Sequence, residues 1–416
     1  MKVLVVAHLY PTPEHRHSMF VHDQVVALRD AGLEMRVVSP TGYAPRLLWH
    51  ADPRLRRRGR TPARARIDDI EVEYPRVPVL PRRVLFAQSG ELSYAALRRR
   101  VPAWRAEGFD LLHAHQAMPD GAAAQRLSAA LGIPYVVTVH GVDVNVHLGL
   151  GGGVAATTAA VLGEAAAVVA VSGAVARRLE GVVAATRLHV INNGLRLDEQ
   201  VEPDTLAAGR KLILSVGNLI ASKGNAIVIE ALSRLVVDRH PDLEYAVVGE
   251  GPVQAELQEL ALMLGVGERV HFLGHLPRER VIALMARADA FVLPSSPEGF
   301  GLVWAEAMAQ GTPVVACVDE GPRDFIEDGV SGLLVPPRDV EAVEQAIDRL
   351  LGDAEAARRM GEAGRRAVAR LTWERNAELQ AAVYDEVLAR RGGSAAASPC
   401  SSSQDPPPAT ANASSS

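Results

Sequence analysis

The chain has 416 residues, 48% of them hydrophobic and 22% charged, with a formal net charge of −5. That is too long for one core and fits a soluble globular protein of two domains, while only two cysteines, Cys317 and Cys400, exclude a disulfide framework and fit a reducing cytoplasm. The opening "MKVLVVAHLYP" is too short an apolar run for a signal peptide and reads as a first strand. In "YPTPEHRHSMFVHDQ", Ser18 stands at the N-cap of a helix predicted over Phe20 to Ala31, with His15, Arg16 and His17 before it. A strand "EMRVVSP" follows.

Next comes "RLRRRGRTPARAR", seven arginines between Arg54 and Arg66. No aromatic residues interleave for base stacking, so nucleic acid is not the expected partner. An anionic membrane surface is one reading and a generally arginine-rich composition the other. Strands "FDLLHAH", "PYVVTVH", "AAVVAVS" and "LHVINN" alternate with helical patterns such as Asp120 to Leu131. The apolar stretch from Leu148 to Ala176 is interrupted by Glu164 and reads as a helix and a buried strand rather than a membrane span. His140 closes "VVTVH" at a strand end, where doubly wound folds place functional groups; a structural histidine packing the loop is the plainer alternative. His115, ending "LLHAH", is a weaker candidate of the same kind.

The polar "EQVEPDTLAAGRK" reads as a linker. After it the same alternation restarts with "KLILSVG", "EYAVVG", "RVHFLG", "AFVLP", "PVVAC" and "GLLVP". Strand and helix in alternation predict parallel sheets with helices on both faces, so the fold class is α/β with two doubly wound domains and a cleft between them. Residues 1–200 carry 24 Lys plus Arg against 18 acids, whereas the remainder carries 20 against 31. An anionic surface would therefore face the first half. A last helical pattern spans Thr372 to Arg391, and the Ser/Ala/Pro-rich 392–416 is expected to be a disordered tail.

One stretch carries most of the chemistry. In "SSPEGFGLVWAEAMAQGTPVV", Glu298 precedes a glycine turn, and Glu306 lies on a helix predicted over Leu302 to Gln310. A helix N-terminus with glycines beside it suits a phosphate. Helical side chains lean toward the N-terminus, so Glu306 tilts back toward the turn. Two carboxylates beside an anion site need donors such as sugar hydroxyls to face. A ligand with central phosphates and hydroxyls at both ends, a nucleotide sugar, answers that demand.

Two such halves carrying "PEGFGLVWAEAMAQGTPVVA" resemble the retaining GT-B glycosyltransferases of family 4, also called group 1. "FDLLHAH", "VVTVHGVD", "VINNGL", "LSVGNLIASKG", "VVGEGP", "VHFLGHL" and "GVSGLLVPPRD" fall in the family's order, so the resemblance spans residues 1–391. It implies two Rossmann-like domains facing a central cleft. Residues 1–196 would form the acceptor side and 197–372 the nucleotide-sugar side, with a C-terminal helix 373–391 able to return to the first domain. By the same resemblance Glu298 lies near the transferred sugar and Glu306 on the donor ribose. The amides of Phe300, Gly301 and Leu302 face the diphosphate, and His140 contacts sugar or acceptor. Gly217, Asn218 and Lys223 belong to the diphosphate loop, where relatives place an Arg and a Lys. Asn218 stands in the Arg position, yet Lys223 is one of only three lysines beside 41 arginines. Relatives carry glycine where Ser18 stands, so that backbone amides meet the donor phosphate or acceptor, and the resemblance counts Ser18 among the donor-binding residues; "YPTPE…FVHDQV" is most similar to transferases of teichuronic acid and capsular polysaccharide assembly.

The expected protein is thus a cytoplasmic glycosyltransferase using a nucleotide-sugar donor and a saccharide or lipid-linked acceptor, and it could associate peripherally with an anionic membrane. No Asp-x-Asp pair stands at a strand end, so transfer is expected without metal or other cofactor, helix amides and Lys223 taking the cation's role. Two alternatives share the architecture: a sugar epimerase, and a non-catalytic sugar-nucleotide-binding or scaffold protein.

Overall fold

A computed structural model describes residues 1–14, 19–43, 46, 59–78, 86–196 and 201–396. The expected Ser18 cap, the stretch His15 to His17, Arg54 to Arg58 and the tail from 397 lie outside the described residues. In the first half the strands are β1 Lys2–Val6, β2 Glu34–Val38, β3 Thr41–Tyr43, β4 Arg64–Ile67, β5 Ile70–Glu73, β6 Arg76–Pro78, β7 Leu111–His115, β8 Tyr135–Val139, β9 Ala167–Ala170 and β10 Leu188–Val190. Eight of them form one sheet in the order β10-β9-β8-β7-β1-β2-β5-β4, parallel except for the antiparallel β4–β5 pair. The small β3–β6 ribbon lies apart from it.

The second half has β11 Lys211–Val216, β12 Leu243–Val248, β13 Val270–Gly274, β14 Ala290–Val292, β15 Val314–Cys317 and β16 Leu333–Val335. They form a wholly parallel sheet in the order β13-β12-β11-β14-β15-β16. Every apolar run read as a strand becomes one, because a strand covered on both faces must be apolar at successive positions; Val3 to Val6 and Tyr135 to Val139 are all buried. The four strands between Thr41 and Pro78 were not expected. All four are three or four residues long, and β4 to β6 carry charged residues, so none leaves an apolar run to read.

The helix Met19–Asp30 buries Val21, Gln24, Val25 and Leu28, spaced to fall on one side. Against it lies the last helix, Trp373–Ala396, which continues past Arg391. Leu371 and Thr372 meet the first half through Leu195, whose N–H donates to Leu371 O (2.8 Å). Ala377, Val383, Tyr384 and Val387 then join the core of β1 and the first helix. Gln24 Nε2 donates to Asn376 Oδ1 (2.7 Å), and Asn376 Nδ2 donates to Asn192 O (2.7 Å). No helix among the described residues is long and apolar enough to cross a membrane.

The last helix also closes over a row of histidines. His113 on β7 is fully buried, with Nε2 2.8 Å from Thr138 Oγ1 and Nδ1 2.7 Å from the Tyr384 hydroxyl. His115 Nδ1 lies 3.0 Å from His140 Nε2, and the two rings stack 5.3 Å apart. Burial disfavours the charged imidazole. It pushes His113 down to about 3, with His140 adding to the effect, and His115 well below its ordinary value. His140 is pushed down to about 4 by burial, against an opposing pull from Asp143. All three are neutral at physiological pH.

Tyr384→Phe leaves His113 Nδ1 buried without its partner, and urea unfolding should show a loss of about 1–3 kcal/mol. The histidines also set a pH dependence. Each has a folded pKa below its unfolded one, so its full contribution is present above about pH 6.5. As pH falls below that, the unfolded chain binds protons that the folded chain refuses, and stability drops. Between about pH 6 and 4, His113→Gln should flatten the slope of stability against pH by up to about 1.4 kcal/mol per unit. An unchanged slope would mean that His113 is accessible to protons in the folded chain.

Candidate active site

Strand order reverses between β1 and β7 in one sheet and between β11 and β14 in the other, and the loops leaving these strands form crevices suited to a ligand. His8 follows β1, and His115 ends β7. Gly217 follows β11, and Pro294 to Glu298 follow β14. Most of the candidate residues are thus carried by the two switch points.

The loop after β11 turns back so that the Lys223 stem lies across Gly217. A Cβ built on Gly217 would sit 3.7 Å from Lys223 Cε. Lys223 Nζ donates to Glu298 Oε2 at 2.7 Å, and both side chains are largely buried. Glu298 is held further by Ser295 Oγ, which donates to Oε2 (3.1 Å), and by the Gly299 N–H, which donates to Oε1 (3.1 Å). The two loops are also joined by the Ser296 N–H, which donates to Ser222 O (2.9 Å). Asn218, in the same loop, is exposed.

Beyond Glu298, Gly301 adopts φ +95°, a conformation costly for a side-chain-bearing residue, and starts the helix Leu302–Ala309. Phe300 is buried against Phe325, with ring centroids 5.3 Å apart. The amides of Phe300, Gly301 and Leu302 make no hydrogen bond to a protein acceptor among the described residues. Unpaired amides at a helix start bind anions readily. Glu306, one turn further along, pairs with Arg278 from the helix Arg278–Arg287. Both glutamates of the motif therefore meet cations, a pairing that the reading of the sequence, which looked to sugar hydroxyls, did not include.

His140 arrives from the other half. A Cβ on Gly299 would lie 2.2 Å from His140 O, and one on Gly141 would lie 3.0 Å from Gly299 Cα. The two backbones touch, so His140 borders the same turn as Glu298. Gly217, Lys223, Glu298, the amides of 300–302 and His140 thus form one site, with Asn218 at its exposed edge and Glu306 one helical turn away.

Three features escaped the sequence reading. His8 Nδ1 lies 2.8 Å from Oδ2 of the fully buried Asp120, whose carboxyl is raised by burial against the opposing pull of His8. Glu320 and Asp324, beyond β15, both reach across to the first half. His8 could have been flagged as a polar residue ending an apolar strand at a switch point. Glu320 and Asp324 stand in "VDEGPRD", where local pattern does not distinguish a buried acid from a solvated one.

Comparison with known proteins agrees with this geometry. Residues 18–199 match the family described as Glycosyltransferase Family 4, and residues 198–367 match Glycosyl transferases group 1. The chain is 30% identical over 373 residues to TuaC of Bacillus subtilis, named as a teichuronic acid biosynthesis glycosyltransferase, covering 84% of this chain and 89% of that protein. In fold it is similar to sucrose-phosphate synthase from Thermosynechococcus elongatus (TM-score 0.75, 24% identity), over 94% of this chain and 100% of that one. It is also similar to HepE of Anabaena, solved in complex with UDP and glucose (TM-score 0.71, 20% identity), over 93% and 100% respectively. The two facing sheets, the glycine turn with its paired glutamates and these matches identify the chain as a member of the family 4, group 1 glycosyltransferases, GT-B enzymes that move a sugar from a nucleotide-sugar donor.

Proposed function

We propose that this enzyme transfers its sugar with retention of anomeric configuration, without a metal ion, to a hydroxyl of a lipid-linked or cell-envelope saccharide. The observation that carries the reading is the Lys223–Glu298 pair lying beside the unpaired amides of 300–302, with the His140 backbone closing on the same turn. A diphosphate on those amides would have Lys223 beside it. The acceptor oxygen then attacks the anomeric carbon on the face from which the diphosphate departs. The bond from that carbon to the phosphate oxygen breaks, the acceptor proton passes to the departing phosphate, and the nucleoside diphosphate leaves. Negative charge grows on the leaving group during this step, so fixed amides and Lys223 stabilise the transition state more than the ground state. Neutral His140 donates or accepts a hydrogen bond at the sugar without adding charge.

The test is a panel of α-linked nucleotide sugars scored for nucleotide release, with the product anomer read by NMR. Retention supports the reading, and an inverted product overturns it. Glu306→Ala should weaken binding of the free nucleoside diphosphate by about 1–3 kcal/mol through lost charged hydrogen bonds. Glu298→Gln should depress turnover and leave that affinity nearly intact; calorimetry giving the opposite pattern reverses the two roles. Lys223→Ala should lower turnover more than donor affinity. Asn218→Arg, which restores the cation usual in relatives, should keep activity and tighten diphosphate binding. A folded but inactive Asn218→Arg enzyme would show that this exposed position serves another purpose here.

The acceptor assignment draws on the arginine run and on the relation to TuaC. Near an anionic bilayer each arginine contributes on the order of 1 kcal/mol, screened over about 8 Å at physiological salt. Binding to vesicles of phosphatidylglycerol should fall with added salt and with Arg56, Arg57 and Arg58 changed to serine. Indifference to such vesicles at low salt would favour a soluble acceptor.

A further inference from the structure

Glu320 lies just beyond β15 and is 5% exposed. Its carboxylate joins three groups. Oε1 accepts from Ser296 Oγ at 2.9 Å, and Oε2 accepts from the Glu298 backbone N–H at 2.8 Å and from Arg178 Nη2 at 2.8 Å. Arg178 ends the helix Gly173–Arg178 of the first half, and its Nη1 donates to Asn145 Oδ1 (3.1 Å). One buried carboxylate thus ties the amide of Glu298 to the opposite half of the molecule.

Neighbouring contacts run the same way. Ser172 Oγ donates to Gly299 O (2.6 Å), and the Gly173 N–H donates to Asp324 Oδ2 (2.8 Å), which also accepts from Asn192 Nδ2 (2.9 Å). The Glu298 side chain, by contrast, is gripped within its own half by Lys223 and Ser295. Its backbone N–H is thus held by Glu320, which Arg178 reaches from across the cleft, and its carboxylate by its own half alone. A buried carboxylate deprived of its cation is costly, so without Arg178 the Glu320 side chain would turn toward water and release the Glu298 amide.

We propose that Glu320 is a positioning residue for Glu298, and that the Arg178–Glu320 ion pair makes the placement of Glu298 conditional on the two halves being closed. This rests on the reading that Glu298 acts at the transferred sugar. A displacement of about 1 Å at a reacting group can cost on the order of 100-fold in rate, so the effect belongs in turnover rather than in nucleotide binding.

The experiment uses the full chain and whichever of UDP-glucose, UDP-galactose, UDP-N-acetylglucosamine and GDP-mannose the wild type turns over. It measures kcat by nucleotide release, and the Kd of UDP or GDP by calorimetry. Glu320→Gln and Arg178→Met should each lower kcat by about 10- to 100-fold and leave Kd within about threefold. The double variant should be no worse than the poorer single, because both changes break one unit, and Arg178→Lys should recover part of the loss. The inference is overturned if kcat stays within about twofold of wild type, if the two effects multiply, or if kcat and affinity fall together. Glu298→Gln run in parallel separates the two claims. If it keeps full turnover, the role of Glu298 is wrong; if it is crippled while Glu320→Gln is not, only the present inference fails. A wild type that turns over none of the four donors sinks both. Thermal melts monitor folding, and should Glu320→Gln not fold, Arg178→Met decides, since the Arg178 side chain is 31% exposed.

Discussion

A turn whose unpaired amides attract an anion cannot also hold bare carboxylates, because like charges would cancel the attraction. Yet Glu298, Glu306 and Glu320 all gather at or near the turn after β14. Each is matched by a cation from a different element: Lys223 from the loop after β11, Arg278 from the helix after β13, and Arg178 from the first half. Among the described residues these pairs leave the amides of 300–302 without a protein acceptor, at a turn whose carboxylates are already balanced. The rest of the arrangement follows from this balance. The β11 loop must fold back over Gly217 to deliver Lys223, and the halves must touch at Gly141 and Gly299 to deliver Arg178.

The first half's side of the cleft is built on the opposite principle. Where the second half supplies paired charges, the first supplies neutral histidines, kept so by burial in a row from Tyr384 to His140. His115 Nε2 is buried without a partner. An unpaired N–H is rarer in proteins than an unpaired acceptor, so His115 is best served by carrying its proton on Nδ1 and donating it to His140 Nε2. His140 would then hold its own proton on Nδ1. The last helix fixes this row through Tyr384, so a segment far along the chain helps to set the chemistry of the first half.

Much of this was legible in the sequence, and the physical reasons differ by element. Central parallel strands announce themselves because both faces are covered, as "KVLVV" and "YVVTV" show. The strand bearing Arg64 and Arg66 was read as part of a charge run instead. In the structure Arg64 pairs with Glu73 and Arg66 with Asp69, so part of that run forms surface ion pairs along a sheet edge. The turn from Glu298 to Gly301 was legible because glycine, acid and helix start follow within a few residues. Its cations were not, since Arg178, Lys223 and Arg278 are distant in sequence and only the fold brings them together.

Asn218 can be understood on the same terms. The side chain is neutral and exposed, at the rim of the loop rather than against a carboxylate. No glutamate of the turn depends on it for compensation, because Lys223, Arg278 and Arg178 already serve the three acids. A neutral residue at 218 therefore leaves the charge balance of the turn intact. If the diphosphate binds as proposed above, Lys223 and the amides of 300–302 carry its stabilisation, and those amides sit between the left-handed turn at Gly301 and the Glu298 backbone that Glu320 holds.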